Sequence, residues 1–136
     1  MQLLELKPGM AVADVGAGFW AWTMGFARWL GPAGRVYATD VGATQLAALR
    51  DAVHRERLST ITVLAGAIDA TNLPEACCDA ILIRDYHHLT QPEAMIRSLA
   101  ASLPFWADQP RRTMSTIFGR WVSSIRLRDA NWGREQ

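Results

Sequence analysis

Val12-Ala13-Asp14-Val15-Gly16-Ala17-Gly18, with Arg35-Val36-Tyr37-Ala38-Thr39-Asp40 behind it, decides the fold of this chain. The two stretches read as an apolar strand, a glycine turn, a helix, a second strand, and an acid at that strand's C-terminal end. This is how a Rossmann-like α/β fold makes a nucleotide or nucleoside pocket. The glycines let the backbone approach a ligand closely, and the acid meets a pair of ribose hydroxyls. Asp14, two residues before Gly16, carries further information. Dinucleotide sites usually have an apolar residue there. An acid suits a ligand with a cationic amino-acid end and no pyrophosphate.

Outward from this core, Lys7-Pro8-Gly9-Met10 is a turn that delivers the chain into the first strand. Trp22, Phe26, Trp29 and Leu30 are spaced for a helix over 21–30, and Gly31-Pro32-Ala33-Gly34 stops it. Residues 44–56 form an amphipathic helix with Leu46, Leu49 and Val53 on one face. A third strand over 60–65 is rich in β-branched residues. Asn72-Leu73-Pro74 turns, a fourth strand covers 79–83, and Gln91-Pro92-Glu93 starts a helix that ends near Leu103. The order βαβαβ(α)βα predicts a parallel sheet in the order 3-2-1-4 with flanking helices, and leaves a fifth strand open. Residues 1–103 form the ligand-binding domain in this reading, and 104–136 an atypical tail. That tail is rich in Arg and holds Trp106, Trp121 and Trp132. Within it 114–125 is the best candidate for another element, with neither strand nor helix favoured.

Composition adds bounds. The 136 residues suffice for one domain with a real core. Half are hydrophobic, a fifth are charged, and the net charge is +1, so nothing global points to nucleic acid or an acidic membrane. No run approaches the ~18 apolar residues of a membrane helix. No signal peptide is visible, which leaves a cytoplasmic location as the expectation. Cys77 and Cys78 are adjacent, a spacing that rarely pairs, so they read as packing residues with no disulfide framework or zinc site. His87 and His88 are also adjacent and point in different directions in most conformations, which argues against a metal site.

Residues 7–103 resemble the class I S-adenosylmethionine-dependent methyltransferases. The resemblance rests on Asp14-Val15-Gly16-Ala17-Gly18, Tyr37-Ala38-Thr39-Asp40, Asp69-Ala70-Thr71-Asn72-Leu73-Pro74 and Asp79-Ala80-Ile81-Leu82-Ile83-Arg84-Asp85. Tyr86-His87-His88-Leu89-Thr90-Gln91-Pro92 looks like a variant found after strand 4 in some small-molecule methyltransferases. The resemblance implies S-adenosylmethionine as methyl donor and a small-molecule acceptor; the near-neutral charge leaves neither a nucleic acid nor a membrane as an expected partner. It places Gly16, Ala17 and Gly18 against the methionine and ribose, and Asp14 near the amino group. Asp40, followed by Val41, would accept from both ribose hydroxyls. Asp69 would accept from the adenine amino group, between Ile68 and Ala70. Asp85 would join the pocket; the roles of His87 and His88 stay open, with one of them able to line the acceptor mouth.

Each residue has a plainer reading. Gly16 and Gly18 could serve a tight turn, Asp40 and Asp85 could cap helices, and Asp69 could be a solvated turn residue. Gly16-x-Gly18-x-x-Ala21 also fits a dinucleotide fingerprint, so an NAD-binding oxidoreductase fragment is an alternative. Two departures from the family stand out. Trp20 replaces the third glycine and puts a large ring at the expected pocket edge. Pro104-Phe105-Trp106-Ala107 does not match the turn that leads into the family's fifth strand and closing hairpin. The expectation is a chain truncated or frame-altered near residue 104, able to self-associate through an uncompleted sheet. A non-catalytic nucleoside-binding remnant is the corresponding functional alternative.

Overall fold

The computed structural model describes residues 6–83 and 89–103, and, for the backbone alone, 113–118 and 121–126. The chain runs β1 (Ala11–Val15), α1 (Ala21–Leu30), β2 (Arg35–Asp40), α2 (Ala43–Arg55), β3 (Ile61–Ala65), β4 (Ala80–Ile83), α3 (Pro92–Ser102), β5 (Thr113–Phe118) and β6 (Trp121–Arg126). The described strands form one sheet in the order β3-β2-β1-β4-β5-β6. β1 pairs in parallel with β2 (Ala11↔Arg35) and β4 (Val12↔Ala80), and β2 pairs in parallel with β3 (Val36↔Ile61). The expected 3-2-1-4 order is therefore present, and the fifth strand left open is filled.

Two expectations for the C-terminal third are corrected. Residues 113–118 and 121–126 are sheet: β5 pairs in parallel with β4 (Ala80↔Thr113), and β6 pairs antiparallel with β5 (Thr113↔Arg126). β4 is thus an interior strand, and the described sheet ends on this side at β6 instead. Its AILI sequence, buried at every position, suits a strand flanked on both sides.

The sheet separates two apolar layers because side chains alternate across it. Val12, Val36 and Leu82 face α1 and α2 and pack with Phe26, Leu30 and Leu49. Ala13, Ile81 and Ile83 face α3 and pack with Met95, Leu99 and Leu103. Full burial of each such aliphatic side chain is worth about 1.5–3 kcal/mol. α1 ends at Gly31, which sits at φ 73°, and its N–H closes on the Ala27 carbonyl at 3.2 Å. The following Gly34 is compulsory for another reason: a Cβ there would lie 2.4 Å from Leu30 Cβ.

A third correction concerns the cysteines. Cys77 and Cys78 are joined in a disulfide. Adjacent residues close the smallest of loops, so the bond removes little entropy from the unfolded chain. Cys78 is nonetheless buried on the α3 side, so the packing role expected for it stands beside the pairing.

Candidate functional site

The C-terminal ends of β1, β2, β3 and β4 surround a cavity of about 270 Å³. It opens where the strand order of the sheet reverses between β1 and β4, the place where open α/β sheets bind ligands. Val15, Thr39, Gly66 and Ile83 mark the four strand ends on its wall. α3 contributes Met95, and the segment before it contributes Leu89 and Thr90.

The glycine turn is fixed by hydrogen bonds from β2. Gly16 N–H and Ala17 N–H both donate to the Thr39 carbonyl at 2.9 Å. Gly18 N–H donates to Asp40 Oδ2 at 2.9 Å. Gly16 and Gly18 have φ 76° and 50°, a region open to glycine at little cost. Asp40 also binds on its other side, where Oδ1 accepts Gly42 N–H at 2.8 Å. This holds the turn into α2, whose N-cap position is Gly42 itself. Asp40 is therefore both a cavity residue and a brace between two turns. A carboxylate has about four lone-pair positions. One N–H on each oxygen leaves capacity on both for two further donors.

Of the residues singled out in the sequence, Gly16, Asp40, Val41, Ile68 and Ala70 line the cavity. Val41 and Ile68 are largely exposed apolar side chains, 64% and 58% accessible, on the cavity wall. Ala17 lies in the core, and Gly18 meets the site through Asp40. Asp69 is exposed in the loop closed by Ala67 N–H on the Ala70 carbonyl at 2.7 Å, and does not line the cavity. Asp14 is fully buried beneath α1, where Thr23 Oγ1 donates to its Oδ2 at 2.7 Å. Asp85, His87 and His88 lie outside the described residues. Among the described residues there is no cluster of three or more His, Cys, Asp or Glu able to hold a metal ion.

Trp20 is placed differently from the sequence reading. It is partly buried against the α1 core cluster and does not line the cavity. Its backbone does take the left-handed conformation, φ 45° and ψ 4°, that the family's glycine would adopt without cost. Thr39, Thr71, Leu89, Thr90 and Met95 line the cavity without having been singled out as ligand contacts. Thr71 lay within a quoted motif, but nothing local marked it. Its partner is Ser98, 27 residues on, which takes the Thr71 N–H on Oγ at 3.0 Å.

This arrangement offers an acceptor carboxylate for a diol, two apolar side chains for a flat ring, and a glycine turn open to close approach. Comparison with known proteins agrees in kind. Residues 12–104 match the model of a methyltransferase domain. The solved S-adenosylmethionine-dependent methyltransferase of Aquifex aeolicus superposes with TM-score 0.75 at 25% identity, over 85% of this chain and 59% of that one. TrmN of Thermus thermophilus gives TM-score 0.69 at 28% identity, over 88% and 36%. A 40-residue stretch is 48% identical to ribosomal RNA large subunit methyltransferase E of Oleidesulfovibrio alaskensis, covering 29% of this chain and 19% of that protein. The chain thus spans well under two thirds of each of these relatives.

Proposed function

Because the chain belongs to the methyltransferase domain family, we propose that it binds S-adenosylmethionine in the cavity at the strand ends and transfers the methyl group to a small-molecule acceptor. The observation that carries this reading is Asp40, whose carboxylate lies on the cavity wall between the glycine turn and Val41 with acceptor capacity to spare. Its two oxygens suit the ribose diol. Val41 and Ile68 suit the faces of the base, and Gly16 suits the close approach of the methionine end. The donor supplies an electrophilic methyl on a cationic sulfur. The chain's part is to hold donor and acceptor in line, an entropic task that needs no strong acid–base pair. The match to methyltransferases in sequence and fold favours this reading over the dinucleotide alternative.

One observation favours a second acceptor class. The similarity to a protein named for ribosomal RNA makes RNA the competing substrate. A nucleoside-binding module without turnover is the remaining reading, and Trp20 in a glycine conformation favours it.

Thermal unfolding with S-adenosylhomocysteine and with NAD tests the binding. At 100 times its dissociation constant, S-adenosylhomocysteine should stabilise the fold by ~2.7 kcal/mol. A larger shift with NAD would overturn the proposal. Incubation with methyl-labelled donor and either a metabolite extract or total RNA then separates the acceptors. Label in the small-molecule fraction supports the proposal. Label in RNA replaces the acceptor class, and no label with intact binding leaves the module reading.

A further inference from the structure

We propose that Ser98 on α3 is a positioning residue for the base end of the nucleoside, acting through Thr71 on the cavity wall formed by residues 66–71. The inference rests on the functional reading above. Ser98 does not line the cavity, whereas Thr71 does. Ser98 Oγ accepts the Thr71 N–H at 3.0 Å and shares a second hydrogen bond, also 3.0 Å, with Thr71 Oγ1. Thr71 Oγ1 in turn accepts Leu73 N–H at 3.3 Å. One serine hydroxyl therefore holds both the backbone and the side chain of Thr71.

Ser98 is half-buried, but the burial of its partner makes this hydroxyl hard to replace. Thr71 is 1% exposed, so water has little access to its polar groups. A buried donor or acceptor that loses its partner bears the full cost of desolvation. The rest of the wall is tied to the sheet: Gly66 N–H donates to the Asp40 carbonyl at 2.9 Å, and Asn72 Nδ2 donates to the Ala65 carbonyl at 2.8 Å. The Ser98 tie is different because it comes from another layer of the fold. It sets how far the 66–71 segment stands from α3, and so the width of the cavity on that side.

The Asp40 carboxylate is held separately, although the residue's backbone carbonyl meets the wall at Gly66. It is anchored to the glycine turn and to Gly42, and Ser98 touches none of these. Loosening Thr71 should therefore disturb contacts to the base while leaving the diol contact in place. A role in general stability would not produce that separation.

The test is calorimetric titration of the full chain with S-adenosylhomocysteine and with S-inosylhomocysteine, which carries a carbonyl in place of the adenine amino group. The unaltered chain should prefer the adenine compound. Ser98→Ala should reduce that preference by about tenfold, and Ser98→Thr, which restores a hydroxyl, should recover it. Asp40→Asn should weaken both ligands alike and leave the preference unchanged. Ser98→Cys, close in size but a far weaker acceptor, makes the same comparison if Ser98→Ala does not fold. An unchanged preference in Ser98→Ala, equal binding of both ligands by the unaltered chain, or no recovery in Ser98→Thr overturns the proposal alone. Failure of the unaltered chain to bind either compound overturns the functional reading, and this inference with it.

Discussion

Replacing Asp40 by Asn changes almost nothing in size and shape, yet it should weaken the fold even without ligand. In the parent, Oδ2 accepts Gly18 N–H at 2.9 Å and Oδ1 accepts Gly42 N–H at 2.8 Å. Both bonds have a charged acceptor, and such bonds contribute about 1.5–3 kcal/mol each. The amide of Asn has a single oxygen, and its NH₂ must face the other backbone N–H, donor against donor. One bond is lost outright and the other loses its charge assistance. Both positions are only part-buried. Water can therefore take up some of the loss, and the expected cost is ~2 kcal/mol, near the low end of the range for a charged bond. An unfolding entropy of about 2.1 cal/mol/K per residue converts this to a fall in Tm of about 7 °C for a chain of this length. Urea unfolding followed by circular dichroism gives the same quantity as a change in midpoint at constant slope. An Asp40→Asn protein as stable as its parent would show that the carboxylate does not brace the two turns. The acid would then serve the ligand alone.

Two other substitutions test the base of the glycine turn. Trp20→Gly and Trp20→Ala both remove the indole, but glycine alone accepts φ 45° freely, so the Gly variant should be the more stable by ~1 kcal/mol. Equal midpoints in denaturant would mean that the turn relaxes once the indole is gone. Thr23→Val removes the hydroxyl that donates to buried Asp14 and keeps the side chain's shape, and should cost ~1.5–3 kcal/mol in thermal unfolding. A loss under 0.5 kcal/mol, the range of an ordinary surface change, would show that this hydrogen bond does not anchor α1 to β1.

How far the sequence could be read depends on whether the deciding interaction is local. β1, β2 and β4 are short apolar runs punctuated by Gly or Asp, and buried parallel strands need little else. β5 is different. Thr113-Met114-Ser115-Thr116-Ile117-Phe118 has no clean alternation, and it is a strand because β4 and β6 flank it. Pairing of this kind is tertiary and leaves little mark on composition. The place of Asp40 on the cavity wall was legible because it ends β2 beside the glycine turn. Its hold on Gly18 and Gly42 was not, because the sequence does not show which backbone N–H groups a turn directs at a side chain. Asp14 was read toward the ligand, but the described geometry bonds it to Thr23 nine residues away on the facing helix. Ser98 and Thr71 are separated by 27 residues and meet only because α3 packs across the sheet.

The glycine turn takes its hydrogen bonds from its own sheet, and this bears on the speed of binding. Gly16, Ala17 and Gly18 all direct backbone N–H groups to β2, two to the Thr39 carbonyl and one to Asp40. A turn held by its own sheet adds no ordering step of its own on encounter. Association should then be a single kinetic phase whose rate rises linearly with ligand concentration, without the plateau that a slow rearrangement imposes. Differences in affinity among related nucleosides would appear in how long each stays, rather than in how fast each enters.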